Sequence, residues 1–102
     1  MDENFIKKRL TELRMLKGVS ARSMSLDIGQ SKGYIAAVEA GHNLPSMTVF
    51  FYICEYLNIS PRDFFDTELA DPESYQELIA NIKKLNRDQL GYLSNFVKSM
   101  IK

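Results

Sequence analysis

Apolar residues recur at spacings of three and four along most of the chain, a periodicity that predicts amphipathic helices. The first stripe contains Ile6, Leu10, Leu13 and Leu16, and the basic residues of this segment lie mainly outside it. Gly18 follows at the position where a left-handed residue commonly ends a helix. Capping residues and glycines then recur at short intervals, so the sequence predicts a mostly helical chain.

Two short helices separated by a tight turn are predicted next. Ser20 is a favoured N-cap for the second helix, and Gly29 ends that helix after about two turns. Ser31 is expected to cap the third helix, which Gly41 terminates. Short helices joined by a glycine turn typically cross at roughly 90 to 120°, which is the geometry of a helix-turn-helix unit.

Four further helices follow this pair. Ser46 is expected to cap the fourth, which is the most apolar segment of the chain. Ser60 and Pro61 begin a short fifth helix that ends in Phe64 and Phe65. These two rings are expected to close the core.

The acidic segment DTELAD at residues 66–71 is the one plausible joint in the chain. Asp71 with Pro72 predicts the start of a sixth helix. Asn86 and Gln89 have the spacing of a capping box and predict the start of a seventh.

The length of 102 residues suits one ordinary domain with a small appendage. We expect an all-α fold, with a five-helix unit that contains the helix-turn-helix at residues 1–66 and a two-helix extension at residues 67–102. Thirteen basic and thirteen acidic residues give no net charge, so overall charge indicates neither nucleic acid nor membrane as a partner. A single cysteine and the lack of a long apolar stretch predict a cytoplasmic protein without a disulfide, leader peptide or membrane span.

The distribution of charge is uneven. Between Lys7 and Lys32 seven basic residues face two acidic ones, a local excess of five positive charges. Phosphate binding responds to the potential within about 8 to 10 Å, so a protein of zero net charge can still present a basic face. By charge alone this segment could equally be an ordinary solvated helix surface.

Short motifs at characteristic intervals run from Phe5 to Phe65 and resemble the phage repressor and Cro-like family of bacterial DNA-binding domains, also called the XRE family. The last of them is YLNISPRDFF, which is similar to the last core helix of that family. The others are R-x-x-K-G-x-S at Arg14 to Ser20, I-G at Ile28 and Gly29, S-x-x-Y-I at Ser31 to Ile35, V-E-x-G at Val38 to Gly41, and L-P-S at Leu44 to Ser46.

The resemblance implies that the third helix, about Lys32 to Ala40, lies in the major groove of double-stranded DNA while the second spans the phosphate backbone. It also implies a salt bridge between Arg14 and Glu39 that links the first and third helices. The positions that match base-facing or groove-facing places are Lys32, Gly33, Tyr34 and Ala37. Those near backbone-contact places are Ser20, Arg22, Ser31, His42 and Asn43.

The sequence departs from the family pattern at three positions, two of which are among those just named. Ala21 stands where many members carry a glutamine that holds the DNA backbone, and Gly33 and Ala37 stand where others use long polar side chains. Lys32 can donate to guanine, but alanine offers only apolar surface. We therefore expect modest base readout, with DNA shape and dimer spacing supplying the rest of the specificity.

Three residues allow a purely structural interpretation beside a functional one. Tyr34 is expected to be exposed, because Ile35 and Val38 already define the inward face of the third helix. His42 is expected to meet either phosphate or water, and Cys54 to be a buried small hydrophobe instead of a nucleophile.

The seventh helix carries an apolar stripe that the five-helix core does not need. It can pack back on its own chain with the sixth helix, or meet a second copy in a twofold dimer. We favour the homodimer, because an isolated helix pair buries too little surface to be stable. The stripe consists of Leu90, Leu93, Phe96, Val97, Met100 and Ile101.

No catalytic constellation is evident. The chain has one histidine, no glycine-rich phosphate loop and no paired acids beside a pocket, so neither an enzyme nor a cofactor or metal site is expected. The favoured function is a transcriptional regulator that binds a pseudo-palindromic operator as a homodimer. The alternative is an antitoxin-like or adaptor protein that uses its last two helices to hold another protein and binds DNA weakly or not at all.

Overall fold

The computed structural model describes residues 1–101. Within these residues the chain forms seven helices and no strand, which confirms the predicted all-α fold. The helices are α1 (Glu3–Lys17), α2 (Ala21–Asp27), α3 (Tyr34–Glu39), α4 (Met47–Leu57), α5 (Pro61–Phe65), α6 (Pro72–Ile82) and α7 (Arg87–Met100). None of them combines the length and the apolar content that crossing a membrane requires.

The predicted helix starts are confirmed at five places. They could be predicted because an N-cap interacts with a residue only three positions further along the sequence. Each N-cap side chain accepts a hydrogen bond from a backbone N–H of the first turn, and Gln89 completes the capping box of α7. The five caps are Ser20, Ser46, Ser60, Asp71 and Asn86.

The core lies among α1 to α5. Its buried side chains include Leu10, Met24, Ile35 and Ile53, one from each of the first four helices. Phe64 of α5 is also buried and closes this core, as predicted. Phe65 is not buried in the same way: it is 39% exposed and belongs to an aromatic cluster at the surface edge of the core.

The third helix is shorter than predicted, and Ser31 is not its N-cap. Gly33 occupies the N-cap position without any side-chain hydrogen bond, and the Tyr34 N–H donates to the Ser31 carbonyl across a turn. The acceptor for the first helical turn comes from another helix, since the Ile35 N–H donates to Ser25 Oγ of α2. A tertiary hydrogen bond thus replaces the local cap.

Arg9 also differs from expectation. Its place in the first helix, off the apolar stripe, predicts a solvated cation, but it is 3% exposed. Its guanidinium donates to four backbone carbonyls at the end of α5 and just beyond it. It adds nothing to a basic surface.

The last two helices extend away from the core. The molecule measures 50 × 26 × 23 Å, and α7 contains no buried residue. Phe96 and Met100 are each 61% exposed, so the apolar stripe of α7 does not pack back on its own core. The division of the chain at residue 66 stays a prediction.

Candidate nucleic-acid interface

Ser25 joins the two helices of the helix-turn-helix. Its side chain is fully buried, and its Oγ donates to the Ala21 carbonyl at 2.6 Å and accepts from the Ile35 N–H at 2.9 Å. Only a small hydroxyl residue can fit between the helices and still provide the acceptor. Ser25 therefore fixes where α3 begins relative to α2.

Replacing Ser25 by alanine is expected to lower the free energy of unfolding by about 1 to 2 kcal/mol, because the Ile35 N–H is left without a partner inside the core. Thermal unfolding followed by circular dichroism measures the effect. Ser23→Ala is the matched control, since Ser23 is an exposed serine of the same helix. Equal melting temperatures for the two variants would contradict this role.

The ion pair between the first and third helices is present. Arg14 Nε donates to Glu39 Oε2 at 2.7 Å and Nη2 donates to Oε1 at 3.0 Å, which is a bidentate arrangement. Arg14 Nη1 also donates to the Val19 carbonyl at 2.9 Å. The hydrogen bond with Glu39 is the main reason that the pKa of Arg14 is raised above its ordinary value. Arg14 thus holds α3 against α1.

Most residues predicted to contact DNA are on the surface. Two are partly covered: Tyr34 and Ala37 are half-buried, and the Tyr34 ring packs against the core. The expectation that Tyr34 is exposed was therefore only partly right, and burial raises the pKa of its hydroxyl. The exposed ones are Ser20, Arg22, Ser31, Lys32, Gly33, His42 and Asn43.

The outer side of α3 carries more small residues than the two, Gly33 and Ala37, at which the sequence departs from the family pattern. Ala36 and Ala40 are both exposed, and they continue the line of Gly33 and Ala37 at helical spacing. That spacing is readable in the sequence, but the resemblance singles out only Gly33 and Ala37. The outer surface of the helix is consequently smooth and free of long side chains.

The basic residues between Lys7 and Lys32 divide into two groups. The first group already binds other parts of the protein and consists of Arg9, Arg14 and Lys17. The Lys17 Nζ lies 3.4 Å from Glu73 Oε2 and over the ring of Tyr56. The other four form no ion pair with any residue of the described part of the chain, and they are Lys7, Lys8, Arg22 and Lys32.

Lys7 is a further candidate for phosphate contact. Its side chain runs along Gly41, and its Nζ lies 3.8 Å from where a Cβ on that glycine would stand. It therefore reaches the segment that follows α3, beside His42. Sequence spacing could not show this, because the proximity depends on how α1 packs against α3.

A family model described as "Helix-turn-helix" matches residues 10–64, which is more than half of the chain. No curated protein and no solved structure matches. The matched segment contains α2, α3 and the ion pair that links α3 to α1.

Proposed function

We propose that this chain, which belongs to the helix-turn-helix family of phage repressor and Cro-like (XRE) DNA-binding regulators, acts as a homodimer on a pseudo-palindromic operator in the cytoplasm. The supporting observation is the open surface around the turn between α2 and α3. Lys32 is exposed in that turn and Arg22 is exposed in the first turn of α2, and neither forms an ion pair within residues 1–101. Such cations are available to DNA phosphates.

The smooth outer side of α3 determines how this surface would read DNA. The major groove is about 12 Å wide and admits one helix, and small residues let the helix backbone approach the base edges closely. Lys32 can donate to guanine, and the alanine methyl groups can contact thymine methyl groups. Sequence-dependent DNA shape and the spacing of two half-sites would supply the remaining specificity.

The apolar surface of α6 and α7 supports dimerisation. A standard interface takes about 800 Å² from each partner, and nine half-exposed large side chains can supply roughly that area. A twofold axis would bring the same surface of two copies together. The nine are Tyr75, Leu78, Ile79, Leu90, Tyr92, Phe96, Val97, Met100 and Ile101.

Dimerisation would compensate for the modest base readout. Two recognition helices about 34 Å apart reach successive major grooves on one side of the duplex. Binding of the second half-site then becomes intramolecular, which can raise the overall affinity by about 10² to 10⁴ without any additional interaction.

The double substitution Arg22→Ala with Lys32→Ala is expected to lower affinity for DNA by about tenfold or more and to leave the melting temperature unchanged. Both side chains are exposed and hold no other part of the chain. Fluorescence polarisation on a random-sequence duplex at several salt concentrations measures the effect. The dependence of log affinity on log salt should become shallower by about 0.9 for each phosphate that the variant no longer neutralises.

The matched control is Lys83→Ala with Lys84→Ala, which removes two positive charges beyond the end of α6. It should change affinity much less. Equal reductions for both double variants would show that only overall charge matters and would contradict the assigned surface.

The alternative function is an adaptor or antitoxin-like protein that holds another protein through α6 and α7. The small residues on α3 and the exposed apolar side chains of α7 favour it. Negligible binding of the wild-type protein to duplex DNA at low salt would support the adaptor and exclude the regulator.

A further inference from the structure

Arg9 lies where the helical core meets the C-terminal extension. It is 3% exposed, and its Nε donates to the Phe64 carbonyl at 2.6 Å. Its Nη2 donates to the carbonyls of Asp63 at 2.8 Å, Asp66 at 2.9 Å and Leu69 at 3.0 Å. One side chain of α1 thus binds both the end of α5 and the segment that leads to α6.

These contacts require arginine. The last carbonyls of a helix have no partner within that helix, and α5 has only five residues. A guanidinium carries several N–H donors in a fixed plane, so it can serve carbonyls on both sides of the helix end. A lysine ammonium is a single point of charge and cannot span them. The segment after α5 is therefore tied to α1.

Three more contacts attach the first turns of α6 to the core. Pro72 is fully buried, although it begins α6. Gln76 Nε2 donates to Asp63 Oδ2 at 3.0 Å, and this carboxylate belongs to α5. On the other side, Lys17 of α1 pairs with Glu73 of α6. The direction in which α6 leaves the core is fixed at several points.

We propose that Arg9 is a positioning residue: by binding the carbonyls at the end of α5 and after it, Arg9 sets the direction of the α6 and α7 extension and so the separation of the two recognition helices in the dimer. This inference rests on the homodimer proposed above. It assigns to a buried side chain of α1, which is not among the DNA-facing residues, control over which operator spacing the dimer accepts.

The lengths of the helices make this direction important. With 11 and 14 residues, α6 and α7 are about 16 and 21 Å long. A rotation of about 15° at the joint would move the far end of α7 by about 5 Å, which exceeds the 3.4 Å rise of one base pair. A small change in the direction that Arg9 imposes on α6 would therefore shift the recognition helices by more than one base step.

The test measures the distance between protomers directly. A nitroxide label is attached at Ala36→Cys, on the exposed side of α3, and the distance between the two labels of a dimer is measured by pulsed electron paramagnetic resonance. The native thiol does not interfere, because Cys54 is buried and burial raises its pKa to about 11. The labelled parent protein should give one narrow distance distribution.

Arg9→Lys is expected to widen this distribution about twofold while the protein stays dimeric, because the ammonium cannot hold both segments. Arg9→Gln, whose amide carries two N–H donors in place of five, should widen it as well and decides the question if Arg9→Lys does not fold. Arg62→Lys, an exposed arginine of α5, is the control and should leave the width unchanged.

Two results would overturn the proposal, and they are distinguishable. Unchanged width in the folded Arg9→Lys variant, or in Arg9→Gln if Arg9→Lys does not fold, would show that these contacts contribute stability only. If the labelled parent protein shows no dipolar coupling between labels, no dimer forms, and the homodimer itself is overturned.

Discussion

Substituting aspartate for Phe96 is expected to yield a monomer and to lower affinity for a two-half-site duplex by about a hundredfold. Phe96 is 61% exposed and stands between Tyr92 and Met100 in the most exposed row of α7. An aspartate there would place an unpaired charge in the centre of an apolar interface. Light scattering gives the mass, and polarisation on a duplex selected by the wild-type protein from genomic fragments gives the affinity.

Asn95→Asp is the matched control, because it adds the same charge on the side of α7 away from the stripe. It should remain dimeric and bind DNA as the wild type does. A Phe96→Asp protein with an unchanged mass would show that the copies meet elsewhere, and the assignment of α7 to the interface would fail.

Replacing Arg14 by alanine is expected to lower the free energy of unfolding by about 3 kcal/mol, which corresponds to a fall in melting temperature of roughly 15 °C. The substitution leaves the Glu39 carboxylate, whose side chain is only 13% exposed, without its partner, and the Val19 carbonyl loses a donor. Thermal and urea unfolding measure the destabilisation. The partial exposure of the pair places the value at the low end for a buried ion pair.

Lys17→Ala provides the comparison, since it breaks an ion pair of similar type at the surface. Its partner Glu73 is 47% exposed, and such pairs contribute about 1 kcal/mol or less. If Arg14→Ala were no more destabilising than Lys17→Ala, the link between α1 and α3 would not be an important structural element.

The parts of the fold that depend on local chemistry could be predicted from the sequence. The side chains of Ser20, Ser46 and Asn86 cap helices because each accepts from a backbone N–H three residues later, and that spacing is visible in the chain. The Arg14 and Glu39 pair could be placed only through the family resemblance. Both kinds of prediction are confirmed by the structure.

The features that depend on tertiary packing could not be predicted in this way. The start of α3 is set by Ser25 on another helix, so the local signal at Ser31 was misleading. Arg9 looked like a solvated cation because nothing in its own segment indicates that the end of α5 packs against it. Tyr34 belongs to the same class, since its ring is half covered by neighbours that periodicity does not show.

Amide chemical-shift mapping shows residue by residue whether the surface formed by the start of α2, the turn before α3 and α3 itself enters duplex DNA. The ¹⁵N-labelled protein is titrated with a random-sequence duplex of about 20 base pairs at low salt, where phosphate contacts are strongest. We expect shifts concentrated at Arg22, Lys32, Tyr34 and His42, with α7 unaffected. Shifts confined to residues 72–100, or none at saturating DNA, would contradict it.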